Sequence, residues 1–355
     1  MNHFGKIAQQ LSAHGLDAML VTSAPGEFYA AGFHGEGMAV VTPAQTWYYT
    51  DSRYIEAAGQ LVKDAQVGMI RTGQTYRQLA QDIVSAQGIR RLGFEDNYMS
   101  VAEYSQWKEE VRAELVPASE ILDLLRMVKD EEELDILTTS SLINDKVLAE
   151  IFENINGDIS ELELSRMRYE LFAKYGADAY GTNVIFSYGA HCAEAHHVSD
   201  DTRLTPGDCI MFDLGAPYGH YCSDQTRTVF YKEVSPEMEK IYHIVLEAHL
   251  QASAAIRPGV ACSEIDRIAR DIITNEGYGS YFTHRTGHGI GLDSHEFPDI
   301  SLSCSEPLQK GMVFSVEPGI YLPQKGGVRI ENLFAVTDDG AVSLNHLPRE
   351  LKVIG

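Results

Sequence analysis

The sequence predicts a protein of two domains, an α/β domain followed by an α+β domain. The chain has 355 residues, which is more than one hydrophobic core usually organises. In the first third, short apolar runs alternate with amphipathic stretches, which is typical of an α/β layer. From Asn183 onward the pattern turns to strands and hairpins with two interrupting helices, which indicates helices packed on an antiparallel sheet.

Within the first domain, four apolar runs predict short buried strands and the segments between them predict helices. The predicted strands are residues 17–22, 39–42, 47–50 and 91–94. The predicted helices are a stretch that ends near residue 15, residues 52–62 and residues 76–86.

The charged run at residues 129–133 predicts the start of a long helix that reaches about residue 154, because acidic side chains favour the first turn of a helix. The residue pattern of the sequence changes there, so we place the domain boundary at this point. The two predicted domains are residues 1–125 and 126–355.

The second domain carries three further helix predictions. Residues 162–175 are predicted to form a helix. Ser235 followed by proline predicts a helix start, and the helix stops before Pro258. Ser263, with Asp266 three residues later, resembles a capping box and predicts the start of another helix.

Composition excludes several classes of partner. There are 28 Lys and Arg against 51 Asp and Glu, a net charge of −23, which repels nucleic acid and anionic membranes. No apolar run approaches the ~20 residues of a membrane span, and the start lacks the apolar core of a signal peptide. The five cysteines are scattered, without a Cys-x-x-Cys pair. We therefore expect a cytoplasmic protein.

Two aspartates lie in a predicted hairpin. Asp213 interrupts the apolar run 209–215, and Asp224 lies in the returning strand 221–230. The two are symmetric about a turn near residues 218–219, so we expect them to face each other at the ~5 Å of cross-strand neighbours. Two carboxylates that close repel each other unless a cation or a shared proton lies between them.

Other ionisable residues lie in equally unusual surroundings. His288 and His295 belong to a glycine-rich segment, where glycine permits close backbone approach. Glu317 and Glu331 each lie in an apolar strand, and a buried carboxylate is costly unless it is paired or coordinated. Arg329 shares a strand face with Glu331 and could pair with it. A pair of Arg329 with Glu331 would not explain why Glu317 also lies in an apolar strand.

Charge balance connects these residues. The set is Asp213, Asp224, His288, Glu317 and Glu331. Its four carboxylates carry the charge that two divalent cations neutralise. Oxygen ligands with one imidazole and no thiolate suit Mn²⁺, Co²⁺, Fe²⁺ or Zn²⁺ in a two-metal site. A single Ca²⁺ is the poorer alternative, since imidazole is a poor calcium ligand.

With these motifs, the sequence resembles the metal-dependent pita-bread peptidases: methionine aminopeptidase, aminopeptidase P and prolidase. The order Asp, Asp, His, Glu, Glu matches, as do Asp-Leu-Gly, Tyr-Cys-Ser-Asp-Gln-Thr-Arg-Thr, Gly-His-Gly-Ile-Gly, Val-Glu-Pro-Gly-Ile-Tyr and Gly-Val-Arg-Ile-Glu, all within residues 212–332. Residues 31–33 and 50–54 are similar to the creatinase/prolidase N-terminal domain, which simple methionine aminopeptidases lack. The resemblance implies a creatinase-like α/β domain, a pita-bread α+β catalytic domain and the proline-peptidase branch.

The resemblance also implies metal ligands. Asp224 and Glu331 would bridge two divalent ions, manganese or cobalt first and zinc or iron second. Asp213 would complete the ligands of one ion. His288 and Glu317 would complete those of the other.

Further roles follow from the same resemblance. Glu317 would act as general base and acid while a metal-activated water attacks the scissile carbonyl. His196 and His295 would hold the substrate or stabilise the tetrahedral intermediate. Arg329 would orient the carboxylates.

The implied function is an Xaa-Pro dipeptidase that acts on small proline-containing peptides as a homodimer. One alternative is an Xaa-Pro or broader aminopeptidase. A non-catalytic binding protein or a metal-free creatinase-type hydrolase is disfavoured, because such relatives lose ligands and all five are present here.

The sequence departs from the family pattern at three places. Ala195 replaces a usual proline before His196. Thr182 and Asn183 stand where some prolidases carry Phe-Asp. Asp299 stands where some prolidases carry arginine after His-Glu-x-Pro, and it would repel the carboxylate of a dipeptide if it faced the pocket. We expect either another group, such as His295 or a residue of a partner chain, to hold that carboxylate, or longer peptides to compete well.

Overall fold

The computed structural model describes residues 2–178 and 184–355. The expectation about Thr182 and Asn183 lies outside these ranges. Contacts divide the chain into two units, Met1–Arg126 and Met127–Gly355. Within the described residues, no helix has both the length and the apolar character needed to cross a membrane.

The N-terminal unit is an α/β layer built on one mixed sheet. Its strands are β1 (Ala18–Val21), β2 (Met38–Val41), β3 (Thr46–Thr50), β4 (Gln66–Met69), β5 (Arg91–Phe94) and β6 (Glu114–Pro117). Its helices are α1 (Phe4–Leu11), α2 (Ala24–Ala31), α3 (Ile55–Leu61), α4 (Tyr76–Gln87), α5 (Val101–Glu110) and α6 (Ser119–Met127). The strand order is β4-β3-β2-β1-β5-β6. Strand β1 pairs antiparallel with β2 and parallel with β5.

The predicted α/β pattern is confirmed in this unit, and the strand predicted at 91–94 coincides with β5. Helix α2 was missed, because its Ala-Pro-Gly start is typical of a loop. The hydroxyl of Ser23 caps this helix by accepting a hydrogen bond from the N–H of Gly26, and the proline in the first turn has no N–H to leave unsatisfied.

The C-terminal unit combines four helices with antiparallel strands. The helices are α7 (Glu131–Asn154), α8 (Glu161–Tyr175), α9 (Pro236–Ala254) and α10 (Cys262–Asn275), with 3₁₀ turns at Gly189–Ala193 and Gly279–Tyr281. The strands are β7 (Val184–Tyr188), β8 (Cys209–Leu214), β9 (Gln225–Tyr231), β10 (Gly287–Gly289), β11 (Glu296–Ile300), β12 (Val313–Val316), β13 (Gly319–Leu322), β14 (Gly326–Arg329), β15 (Asn332–Val336), β16 (Ala341–Ser343) and β17 (Val353–Ile354).

Three sheets organise these strands. Their orders are β17-β9-β8-β7, β11-β10-β12-β15-β16 and β13-β14. Ile241 and Val245 of α9 and Ile265 of α10 are buried in one apolar cluster with Phe314 of β12. The predicted α+β class, with helices packed on antiparallel sheet, is therefore confirmed.

Capping explains the helix boundaries that the sequence predicted well and the one it predicted wrongly. Asp130 caps α7 in a capping box with Glu133, and Ser235 caps α9. The cap predicted at Ser263 is wrong, because α10 begins at Cys262 without a side-chain cap. The buried carboxylate of Asp266 instead accepts hydrogen bonds from Arg270 at 2.9 Å.

Candidate metal centre

The hairpin β8–β9 brings the two aspartates together in a different register from the predicted one. Asp213 lies opposite Thr226 rather than opposite Asp224, which precedes β9. The predicted facing pair is wrong by two residues. Because side chains alternate with a period of two, an even shift leaves both carboxylates on one side of the hairpin. Asp213 and Asp224 still interact, and this contact helps to raise the pKa of Asp224.

His288 lies on the short strand β10 with its ring turned toward two carboxylates. Its Nε2 atom lies 3.2 Å from Oε1 of Glu317 and 3.8 Å from Oδ2 of Asp224. Its Nδ1 atom lies 3.0 Å from the carbonyl oxygen of Gly289. A carbonyl only accepts hydrogen bonds, so Nδ1 carries a proton and Nε2 is the nitrogen that faces the cluster. When the ring is protonated, Nε2 donates to Glu317, and when the ring is neutral, Nε2 offers a lone pair to a cation.

The glycines beside His288 are required by close backbone packing. A Cβ atom on Gly287 would lie 1.8 Å from the carbonyl oxygen of Ser315, and one on Gly289 would lie 2.1 Å from that of Phe297. Only glycine permits these approaches. The strand can therefore sit deep between its neighbours and present the imidazole to the cluster.

Glu331 lies between β14 and β15 and is 1% exposed. Its Oε2 atom accepts a hydrogen bond of 2.7 Å from the hydroxyl of Thr226. Its Oε1 atom is buried and has no hydrogen-bond partner within the described part of the chain. One ligand atom each from Asp224, His288 and Glu331 lie within 4.8 Å of one another. A buried carboxylate oxygen without a donor has a free lone pair for a cation.

Arg329 holds two of the carboxylates in place. Its Nη2 atom donates to Oδ2 of Asp213 at 2.5 Å. Its Nε atom donates to the hydroxyl of Thr226 at 3.0 Å, and that hydroxyl in turn donates to Glu331. Tyr321 accepts a third bond, of 2.9 Å, from Nη1. A fourth partner is the carbonyl oxygen of Ala195, 3.4 Å from Nη1. The guanidinium is thus fixed by four partners, and it orients Asp213 directly and Glu331 through Thr226.

The cluster carries strong electrostatic strain. Burial, followed by repulsion from the neighbouring carboxylates, raises the pKa of both Asp224 and Glu331 well above the ordinary range. Burial also acts on Glu317, but the hydrogen bond and charge of His288 outweigh it and lower its pKa to about 2. Four carboxylates and one imidazole without enough compensating positive charge fit a site for divalent cations.

A cavity of about 720 Å³ opens onto these residues. His196 and His295 both line it, so all eight residues singled out in the sequence meet at one cavity. The ring of His295 lies 4.1 Å from that of His288, centroid to centroid. Burial and then the positive charges of His288 and Arg285 lower the pKa of His295 to about 4, so its imidazole is neutral at pH 7.

Sequence reasoning missed several residues of the site: Thr226 and Tyr321, which hydrogen-bond to Arg329, and Arg285, which lines the cavity. Thr226 and Tyr321 belong to motifs that were recognised, and alternation along a strand could have assigned them to the same face as the ligands. Arg285 lines the cavity and forms an ion pair with Asp299, which itself is not among the lining residues. The expected repulsion of a substrate carboxylate by Asp299 therefore finds no support in its placement.

The two-unit fold and this carboxylate–histidine cluster define a metallopeptidase with a creatinase-type N-terminal domain. Residues 135–338 match the model of "Metallopeptidase family M24", and residues 4–128 match that of "Creatinase/Prolidase N-terminal domain". The chain belongs to metallopeptidase family M24.

Individual relatives support the same family along the whole chain. The "Uncharacterized peptidase YqhT" of Bacillus subtilis is 38% identical, with 96% of each chain covered. The solved structure "Xaa-Pro dipeptidase from Bacillus anthracis" has a TM-score of 0.96 at 34% identity and covers 99% of each chain. The X-Pro aminopeptidase from Thermotoga maritima has a TM-score of 0.91 at 30% identity and covers 100% of each chain.

Proposed function

We propose that the protein is a metal-dependent exopeptidase that hydrolyses the bond between an N-terminal residue and proline, with Xaa-Pro dipeptides as its substrates. The observation that carries the proposal is the buried Oε1 atom of Glu331, which has no hydrogen-bond donor among the described residues and belongs to a carboxylate–imidazole cluster on a cavity wall. The similarity to a protein named as an Xaa-Pro dipeptidase favours this substrate class.

The proposed ligands of two divalent ions are Asp213, Asp224, His288, Glu317 and Glu331. Manganese or cobalt is proposed first, with zinc or iron as alternatives, because oxygen-rich ligands with one imidazole suit all four. When bound, the ions supply Lewis-acid activation of water and of the scissile carbonyl.

The chain's own residues would move the protons and hold the substrate. The carboxylate of Glu317 accepts a hydrogen bond of 3.0 Å from Ser315, which fixes it at the cavity wall. From there it would take a proton from the attacking water and pass it to the departing proline nitrogen. The neutral imidazole of His295 would donate a hydrogen bond to the substrate carbonyl. His196, exposed at the cavity rim, would contact the substrate.

An Xaa-Pro aminopeptidase is the second candidate, because the chain is also similar to a protein named as an X-Pro aminopeptidase. A non-catalytic binding function stays disfavoured, since the proposed ligands are all present at one cavity. The homodimer and the cytoplasmic location expected above belong to this proposal. Free thiols at all five cysteines are consistent with that location.

A panel of peptides tests the proposed function. We expect Ala-Pro and other Xaa-Pro dipeptides to be cleaved with Mn²⁺ or Co²⁺ and not after chelation. Ala-Pro-Ala should have the lower kcat/KM. A tenfold preference for the tripeptide would replace the dipeptidase with an aminopeptidase, and no cleavage of any Xaa-Pro peptide would reject both.

A further inference from the structure

Two arginines line the catalytic cavity among the described residues, and their surroundings differ. The side chain of Arg329 is 4% exposed and is engaged by Asp213, Thr226 and Tyr321. The side chain of Arg285 is 39% exposed. The donor groups of Arg329 are therefore used within the candidate metal centre, whereas the partly exposed guanidinium of Arg285 presents a positive charge to the cavity.

Arg285 is anchored at one edge of its guanidinium. Its Nη1 atom donates a hydrogen bond to Oδ1 of Asp299, and Oδ2 of Asp299 accepts one of 2.5 Å from Ser301. Nε and Nη2 of Arg285 have no hydrogen-bond partner within residues 2–178 and 184–355. Asp299 thus fixes the side chain while two donor nitrogens stay available, and a guanidinium fork of this kind matches a carboxylate.

His295 shows where Arg285 lies relative to the proposed reaction centre. Arg285 and His295 line the same cavity. His295 in turn packs against the candidate ligand His288. Arg285 therefore shares the cavity with the proposed reaction centre and lies outside the ligand set.

The substrate of a dipeptidase needs a cation at such a place. In Xaa-Pro the free carboxylate belongs to the residue just beyond the scissile bond, and consecutive Cα atoms are about 3.8 Å apart. It must enter a cavity whose wall carries four carboxylates, and the two proposed divalent ions only balance their charge, so the substrate carboxylate needs a separate cation. We propose that Arg285, positioned by Asp299, binds the C-terminal carboxylate of the dipeptide and thereby sets the preference for dipeptides. This inference rests on the proposed function and adds the residue that would determine substrate length.

A cycle of two enzymes and two substrates tests the inference. Wild-type protein and Arg285→Ala are each assayed with Ala-Pro and with its C-terminal amide, which keeps the shape and removes the charge. A charge-assisted hydrogen bond is lost only for the acid, so kcat/KM for Ala-Pro should fall about 10- to 100-fold and that for the amide far less. Most of the loss should appear in KM. Arg285→Lys should recover part of the difference between the two substrates.

The matched control is Arg203→Ala, since Arg203 forms an exposed pair with Glu163 and does not line the cavity. Equal losses for acid and amide in Arg285→Ala would overturn the inference, because a purely structural role affects both substrates alike.

Equilibrium binding separates this inference from the proposed function. An uncleavable analogue of Ala-Pro with a reduced peptide bond, and the C-terminal amide of that analogue, are titrated calorimetrically into metal-loaded wild type and metal-loaded Arg285→Ala. Weaker binding of the acid alone by the variant supports the carboxylate contact even if wild type cleaves no Xaa-Pro peptide, a result that would reject only the proposed function. Binding of the acid analogue with the same affinity by the two proteins rejects the contact.

Discussion

Buried carboxylates occur in both units, and Glu27 of the N-terminal unit and Glu331 of the C-terminal unit have opposite environments. In the N-terminal unit, Glu27 accepts hydrogen bonds from the N–H groups of Gly35 and Gly37 and from the hydroxyl of Tyr48, at 2.6–3.2 Å. Its other oxygen lies 2.8 Å from Nδ1 of His34. In the C-terminal unit, Glu331 has one hydroxyl donor and one buried oxygen with no donor in the described chain.

The difference separates structural carboxylates from candidate ligands. Glu95 of the N-terminal unit resembles Glu27 in having several hydrogen-bond donors, since Thr22 and Ser23 supply it with two N–H groups and one hydroxyl. Donors supplied by the fold stabilise a buried charge. Where the fold supplies too few donors and adds further carboxylates, the charge is stable only with a cation from solution.

The largest expected effect is that of Glu331→Gln. The substitution removes a proposed bridging ligand, so metal content should fall from two ions per chain to less than one, and kcat/KM should fall by at least ~10². Elemental analysis after dialysis and the Ala-Pro assay measure both. Without metal, the variant should be at least as stable as wild type, because a repelling charge is gone.

The exposed residue Glu350 offers a matched control for that experiment. Glu350→Gln should keep both the metal content and the activity. Two tightly held ions in Glu331→Gln would show that this carboxylate does not bridge the metals.

Glu317→Gln distinguishes a proton carrier from a plain ligand. At saturating metal we expect kcat to fall at least ~10², because the amide cannot take or return a proton. The rate is measured with Ala-Pro across a metal titration, so that lost affinity and lost chemistry are separated. Normal turnover at full metal loading would contradict the assigned role.

A smaller effect, and a different one, is expected for Glu27→Gln. The new amide presents an NH₂ group or a neutral oxygen to groups that donate hydrogen bonds to a carboxylate. We expect the free energy of unfolding to fall by about 2 kcal/mol, as measured by urea denaturation. Metal content per folded chain should stay at the wild-type value. If Glu27→Gln lost metal and kept its stability, Glu27 would behave as a metal ligand, and the proposed difference between structural carboxylates and metal ligands would be wrong.

Local signals explain why much of the fold could be predicted. Side-chain caps such as Asp130 and Ser235 act within a few residues, so the starts of α7 and α9 were found within two residues. The cap predicted at Ser263 does not form, because Asp266, the other residue of the apparent capping box, accepts hydrogen bonds from Arg270 instead. A contact between distant parts of the chain outweighed the local pattern there.

The candidate site was predictable to the extent that apolar sequence surrounds charged residues. That criterion found Asp213, Glu317 and Glu331, which the structure brings to one cavity. It could not set the register of Asp213 against Thr226, since turn geometry decides it. It also could not find the ion pair of Arg285 with Asp299, because β10 and β11 must first pair.

The central claim is that the fold leaves these carboxylates short of positive charge by two divalent ions. Metal-free protein should be titrated with Mn²⁺ while bound metal and Ala-Pro hydrolysis are followed on the same samples. We predict that activity saturates at two ions per chain. Full activity at one ion per chain, or hydrolysis that persists with none, would contradict the account.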